Sequence, residues 1–82
     1  MKLWLLTPRT DLANQDNPWR SQYDKTFGHV VRAESEQDAR RFAAIAAGDE
    51  GPAPWTTDRF STCTELTADG EAGIVLVDFR AG

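Results

Sequence analysis

Three groups of residues in this chain carry side chains able to do chemistry. His29 and Cys63 are its sole imidazole and sole thiol, and a thiol beside a base is the minimum of an activated nucleophile. Such a pair also needs an oxyanion hole and a third group to orient the base. Both residues fall instead in runs that read as strands, where a lone buried cysteine is ordinarily inert packing. The second group is acidic: Asp49 and Glu50 in "GDEG", Asp69 and Glu71 in "TADGE". A calcium loop needs oxygen ligands at alternate positions closed by a bidentate acid, and neither segment has that spacing; "ADG" reads as turn chemistry. The third group interleaves Trp19, Tyr23 and Phe27 with Arg20 and Lys25 in "NPWRSQYDKTF". That mixture binds single-stranded nucleic acid by stacking and phosphate contact. Here Asp16 and Asp24 dilute the charge, so core cover plus a surface salt bridge is the simpler reading. Trp19, Arg20 and Tyr23 are also the residue types that protein interfaces use as anchors.

Other chemistries lack their motifs. There is no glycine-rich phosphate loop and no serine nucleophile elbow. One cysteine makes neither an internal disulfide nor a cysteine-rich zinc site. The expectation is therefore a chain without catalytic residues, metal or cofactor. The longest apolar run near the start, "LWLL", is shorter than a signal-peptide core, and no segment approaches a membrane span; the sequence reads as soluble and cytoplasmic.

Charge divides the chain. The net charge is −4, which disfavours direct nucleic-acid binding because phosphate neutralisation needs clustered cations. Residues 1–33 hold five basic groups against three acids, net +2, whereas residues 34–78 hold ten acids against three arginines, net −7. An acidic surface built from Asp49, Glu50, Asp58, Glu65, Asp69 and Glu71 would suit a basic partner.

These side chains must be held by a small fold. "KLWLLT" is a short apolar run closed by Pro8 and reads as a buried strand. Residues 8–26 form a long loop with at most one helical turn, a length that is often functional, and Trp19 and Tyr23 are expected to fold back over the sheet edge. "FGHVVRA" reads as a second strand with Phe27, His29 and Val31 on one face. Ser35 stands three residues before Asp38, a variant of the capping box. Ala39, Phe42, Ala43 and Ala46 then form an apolar helical stripe, with Arg40 on the opposite side. Gly48 is expected to close the helix in left-handed conformation, and Pro52 and Pro54 prevent its resumption. Trp55 is too large to leave in water and should plug the core. "RFSTCTEL" resumes alternation, with Phe60, Thr62, Thr64 and Leu66 on one side. "GIVLVDF" is apolar on both faces and reads as a central strand. The fold class is α+β: residues 1–82 as one domain, with a mainly antiparallel sheet of about four strands and one α-helix packed on one face.

The pattern "YDKTFGHVVRAESEQDARRFAAIAAGDEG…W…STCTEL…G…GIVLVDF", Tyr23 to Phe79, resembles a family of small bacterial and prophage proteins. The resemblance carries no catalytic residue. In size, acidity and lack of catalytic motifs the chain is also similar to anti-CRISPR proteins, which bind and block CRISPR effectors. The likeness implies a protein partner, such as a nucleic-acid-binding effector complex of host defence, met by a monomer or weak dimer. The competing readings are an accessory module of a bacterial assembly and a small hydrolase using Cys63 and His29.

Overall fold

The apolar run that opens the chain becomes the centre of the sheet. A computed structural model describes residues 1–20 and 23–79. It contains β1 (Lys2–Pro8), β2 (His29–Ala33), α1 (Glu36–Ile45) and β3 (Ser61–Leu66), with single 3-10 turns at Asn14–Asp16 and Ala53–Trp55. The strand order is β2-β1-β3, and both outer strands run antiparallel to β1. The architecture is α+β as the sequence predicts.

Register fixes which side chains meet. Trp4 lies opposite Val31, and Leu6 lies opposite His29 on one side and Cys63 on the other. Because strand side chains alternate, these residues share the face that α1 covers. Leu3, Leu5, Val30 and Arg32 take the other face, where Leu3 and Val30 are exposed. Leu6, Trp19, Ala33, Ala39, Ala43 and Trp55 form the buried core, with Trp4, Leu12, Phe27, Val31, Phe60 and Cys63 packed around it. In β3 it is Ser61 and Cys63 that turn inward, while Thr62 and Thr64 stay exposed.

The helix starts as its sequence dictates. Ser35 accepts a hydrogen bond from the Asp38 amide at 3.2 Å, and Glu36 and Asp38 occupy the first turn, where the helix dipole favours acids. Its rotation differs from the expected one. Ala39, Arg40 and Ala43 are buried, whereas Phe42 is 58% exposed. The physical reason is the guanidinium of Arg40. It donates from Nη1 to the carbonyls of Trp55 (3.0 Å) and Thr57 (3.1 Å) and to Ser61 Oγ (2.9 Å), and from Nη2 to the Ser61 carbonyl (3.2 Å). Its Nε donates to Glu36 at 2.9 Å. A planar fork of donors satisfies the backbone of a loop that no strand pairs, and that outweighs burial of one phenylalanine.

Gly48 serves a purpose other than the expected one. Left-handed φ occurs at Gly51 (83°), not at Gly48. At Gly48 a Cβ would lie 2.5 Å from the Asp24 carbonyl oxygen, so glycine is required there for close approach. The next amide, of Asp49, donates to that same carbonyl at 2.7 Å.

The expected fourth strand is not formed. Residues 73–79 have no regular secondary structure, and Ile74, Val75, Leu76, Val77 and Phe79 are 44–82% exposed. The described sheet has three strands. We call residues 73–79 the arm. A run apolar on both faces identifies β-forming sequence, but it does not say which sheet edge the run will join.

The helix rotation has a direct test. Phe42→Ala should cost under about 1 kcal/mol in urea denaturation, as an exposed change does. Arg40→Ala should cost at least about 3 kcal/mol, because it strands buried carbonyls without donors. The reverse ranking would restore the phenylalanine-inward helix.

Candidate functional site

The segment after α1 separates two adjacent acids. Asp49 stays exposed, and Glu50 turns inward to 8% exposure, against the expectation that both project into solvent. The Glu50 carboxylate accepts from Trp55 Nε1 at 2.6 Å and from the Thr26 amide at 3.0 Å, and from the Thr26 hydroxyl as well. Trp55 is fully buried, as its size predicts. The ring of Trp19 meets it edge-on at 5.2 Å, and that of His29 does so at 4.6 Å. Trp19 Nε1 donates to the Thr26 carbonyl at 2.7 Å, so Thr26 joins both indoles through backbone and side chain.

Electrostatics follow from this packing. Burial works against the charge on Glu50, but the donors from Thr26 and Trp55 together hold its carboxyl below the ordinary 4.5. It remains ionised and acts as an acceptor hub; a carboxylate engaged by three donors is poorly placed to take a substrate proton. His29 is pushed below its ordinary 6.5 by burial, with the Glu50 charge pulling the other way. Its Nε2 is buried without a hydrogen-bond partner. Burial also raises the Cys63 thiol, opposed by Arg40 and aided by Glu36. A nucleophilic pair needs the opposite shifts, toward thiolate and imidazolium. Nor do the two groups meet. They flank Leu6 on either side, two strand spacings or about 10 Å apart.

The aromatic–basic stretch is likewise divided. Trp19 is buried, correcting its assignment to an interface, while Arg20 is exposed. Tyr23 is 81% exposed and does not cover the sheet. Lys25 donates to the Pro18 carbonyl at 2.6 Å and forms no salt bridge among the described residues. A stacking surface for nucleic acid would need Trp19 outside.

Of the acids proposed for a binding surface, Asp49, Asp58, Glu65, Asp69 and Glu71 are exposed, and only Glu50 is buried. Glu65 pairs with Lys2 at 3.7 Å. The described ion pairs (Lys2–Glu65, Arg9–Asp11, Arg40–Glu36 and Arg41–Asp38) leave Asp49, Asp69 and Glu71 unmatched among the described residues, while Asp58 lies in the field of Arg9, which donates to its carbonyl at 3.3 Å. Among the described residues no group of three or more His, Cys, Asp or Glu is placed to hold a metal ion. No helix there is long and apolar enough to cross a membrane. A cleft of about 440 Å³ lies between α1 and the Pro52–Thr56 turn, lined by Gln37, Arg40, Arg41, Ala44 and Ile45. Each nitrogen of the Arg40 guanidinium already donates within the protein.

Sequence reasoning missed Glu50 and Arg40 as internal ties and the arm as exposed surface. The signal for Glu50 was available in the tryptophan five residues later, whose indole N–H needs an acceptor once buried. No protein-family model, curated protein or solved structure matches the chain.

Two outcomes follow from the buried acid. Glu50→Gln should cost about 2–3 kcal/mol, because an amide NH₂ then faces donors; Asp49→Asn should stay within about 0.5 kcal/mol. Similar, small effects of the two changes would return Glu50 to the surface. Stability should also fall with acid in two stages. His29 is depressed in the fold, so its contribution is complete above 6.5 and is lost as the pH falls toward its folded value. Glu50, also depressed, follows below 4.5. His29→Phe should abolish the first stage in urea titrations between pH 7 and 5 and leave the second; an unaltered first stage would contradict the assignment.

Proposed function

We propose that this chain is a non-enzymatic protein that binds another protein through an acidic surface carried by Asp49, Asp58, Asp69 and Glu71, with Glu65 beside them. The observation that supports this reading is that all five are exposed and that Asp49, Asp69 and Glu71 form no ion pair among the described residues. Two charges are instead used internally: Glu50 is tied to Trp55 and Thr26, and Arg40 to the loop carbonyls. Acids left exposed and unmatched raise the local negative potential and favour encounter with lysine- and arginine-rich surfaces. A groove built for nucleic acid is such a surface. The likeness to anti-CRISPR proteins supports a defence effector complex, met in the cytoplasm, as the partner class. The hydrolase alternative loses support from the separation of His29 and Cys63.

The test compares the wild-type chain with two stable variants, Asp49→Asn/Asp58→Asn and Asp69→Asn/Glu71→Gln. A partner captured on the wild-type protein is purified and its affinity measured at low and high salt. Each double variant should melt as the wild type does, bind at least about tenfold more weakly, and show a shallower salt dependence. Cys63→Ser should bind normally. Unchanged affinity and salt dependence in both double variants would remove the acidic surface as the binding element.

A further inference from the structure

The cleft beside α1 continues into a second hollow, and together they form a groove that is apolar at one end and acidic at the other. We infer that this groove takes an extended segment of a basic protein, with an apolar side chain three or four residues from a lysine or arginine. The inference rests on the acidic-surface reading for the sign of the partner's charge, and it adds the place, the anchor and the spacing.

The two hollows share a wall. The cleft of about 440 Å³ lies at Ala44, Ile45 and Pro52, and a second hollow of about 490 Å³ lies at Glu36, Thr57 and Asp58. Gln37, Arg40 and Thr56 line both. Each has the size of an ordinary ligand pocket, about 300–1,000 Å³. The helix sets the length of the groove. α1 runs from Glu36 at the acidic end to Ile45 at the apolar end, roughly 13 Å along its axis. Four residues of extended chain, at about 3.3 Å each, cover that distance.

The groove is formed before anything enters it. Arg40 is 7% exposed, and its guanidinium joins α1 to the carbonyls of Trp55 and Thr57 and to Ser61. Across from the helix, the Thr56 hydroxyl donates to the Ala53 carbonyl at 2.9 Å. Walls held in this way have little freedom left to lose on binding.

The apolar end calls for an uncharged side chain. Ile45 is 77% exposed, with Ala44 and Pro52 beside it. Both guanidiniums that reach this end are neutralised within the protein, Arg40 by Glu36 at 2.9 Å and Arg41 by Asp38 at 3.4 Å. Arg41 then offers its aliphatic stem to a ligand.

The acidic end calls for a cation. The Glu36 side chain is 50% exposed, and a carboxylate that accepts from Arg40 has lone pairs left for a second donor. Asp58 is exposed. Arg9, whose field it shares, is held by Asp11 through bonds of 3.0 and 3.1 Å. Glu36, Asp38 and Asp58 against Arg40 and Arg41 leave the groove at 3 − 2, one net negative charge, on a chain of net −4. That balance favours an ammonium or guanidinium over a carboxylate. The separation of the two ends selects a polypeptide, whose backbone bridges them, over a small amphiphile.

Amide shifts of the isotope-labelled full chain, titrated with synthetic peptides, test the groove. The probe is acetyl-Leu-Ser-Gly-Lys-Lys-amide. Saturable shifts are expected at Ala44, Ile45 and Asp58, with a Kd of about 1 mM or below. Peptides with glycine for the leucine, or glutamates for the lysines, should bind at least about fivefold more weakly. Ile45→Gln and Asp58→Asn, both changes of exposed side chains, should weaken the probe similarly while melting as the wild type does. Asp58→Lys should bind the glutamate peptide better than the wild type does, which a merely sticky cleft would not allow. No saturation at these amides up to about 10 mM, equal binding of all three peptides, or tighter binding of octanoate than of the probe would each overturn the proposal. Partner binding separates it from the reading it rests on. Loss with Asp69→Asn/Glu71→Gln but not with Ile45→Gln would overturn the groove alone. Loss with Ile45→Gln but not with those acids would remove only the wider acidic surface.

Discussion

The structure depends on burying Trp55 in a core that has few large side chains to offer. Leu6, two tryptophans and three alanines are its fully enclosed members, a thin core for a chain of this size. Complete burial of one indole is worth roughly 2–3 kcal/mol, against a total stability of about 4–12 kcal/mol expected at this length. Its N–H must therefore be satisfied inside, and Glu50 does so at 2.6 Å. The same carboxylate takes the Thr26 amide, which ties the long 9–28 connection to the helix exit. Arg40 serves the other side of the Trp55 turn, accepting none and donating to three carbonyls in all, at Trp55, Thr57 and Ser61.

This arrangement engages the residues suited to chemistry in internal contacts. A carboxylate engaged by three donors is held ionised, and a guanidinium whose three nitrogens each donate within the protein is held in place by the fold. His29 and Cys63 are drawn toward their neutral forms by the same apolar surroundings. Outside lie exposed acids, Asp49, Asp69 and Glu71 among them, that form no ion pair among the described residues, and an apolar segment, residues 73–79, that joins no strand of the described sheet.

The sequence makes much of this readable, and its failures have physical causes. The Ser35 cap, the three strands and the Trp55 plug each rest on a local signal that tertiary structure did not override. The rotation of α1 was misread because alanines dominate its surface: Ala39 and Ala43 fit either of two neighbouring stripes, and an arginine was assigned to solvent by default. Only knowledge of the bare carbonyls around Trp55 would have turned Arg40 inward. "DE" was read as one acidic corner, although one residue follows the helix end outward and the other answers an indole. The arm was recognised as β-forming sequence, yet propensity cannot name the sheet that receives it.

The central claim is that the fold closes around Trp55 with three strands and leaves residues 73–79 outside the sheet. Hydrogen–deuterium exchange on dilute monomer reads it residue by residue. The account predicts slow exchange through β1 and at the Trp55 turn, and exchange near the unprotected rate for the amides of residues 74–79. Arm amides protected as strongly as those of β1 in the same dilute sample would show a fourth strand in the chain's own sheet and contradict it.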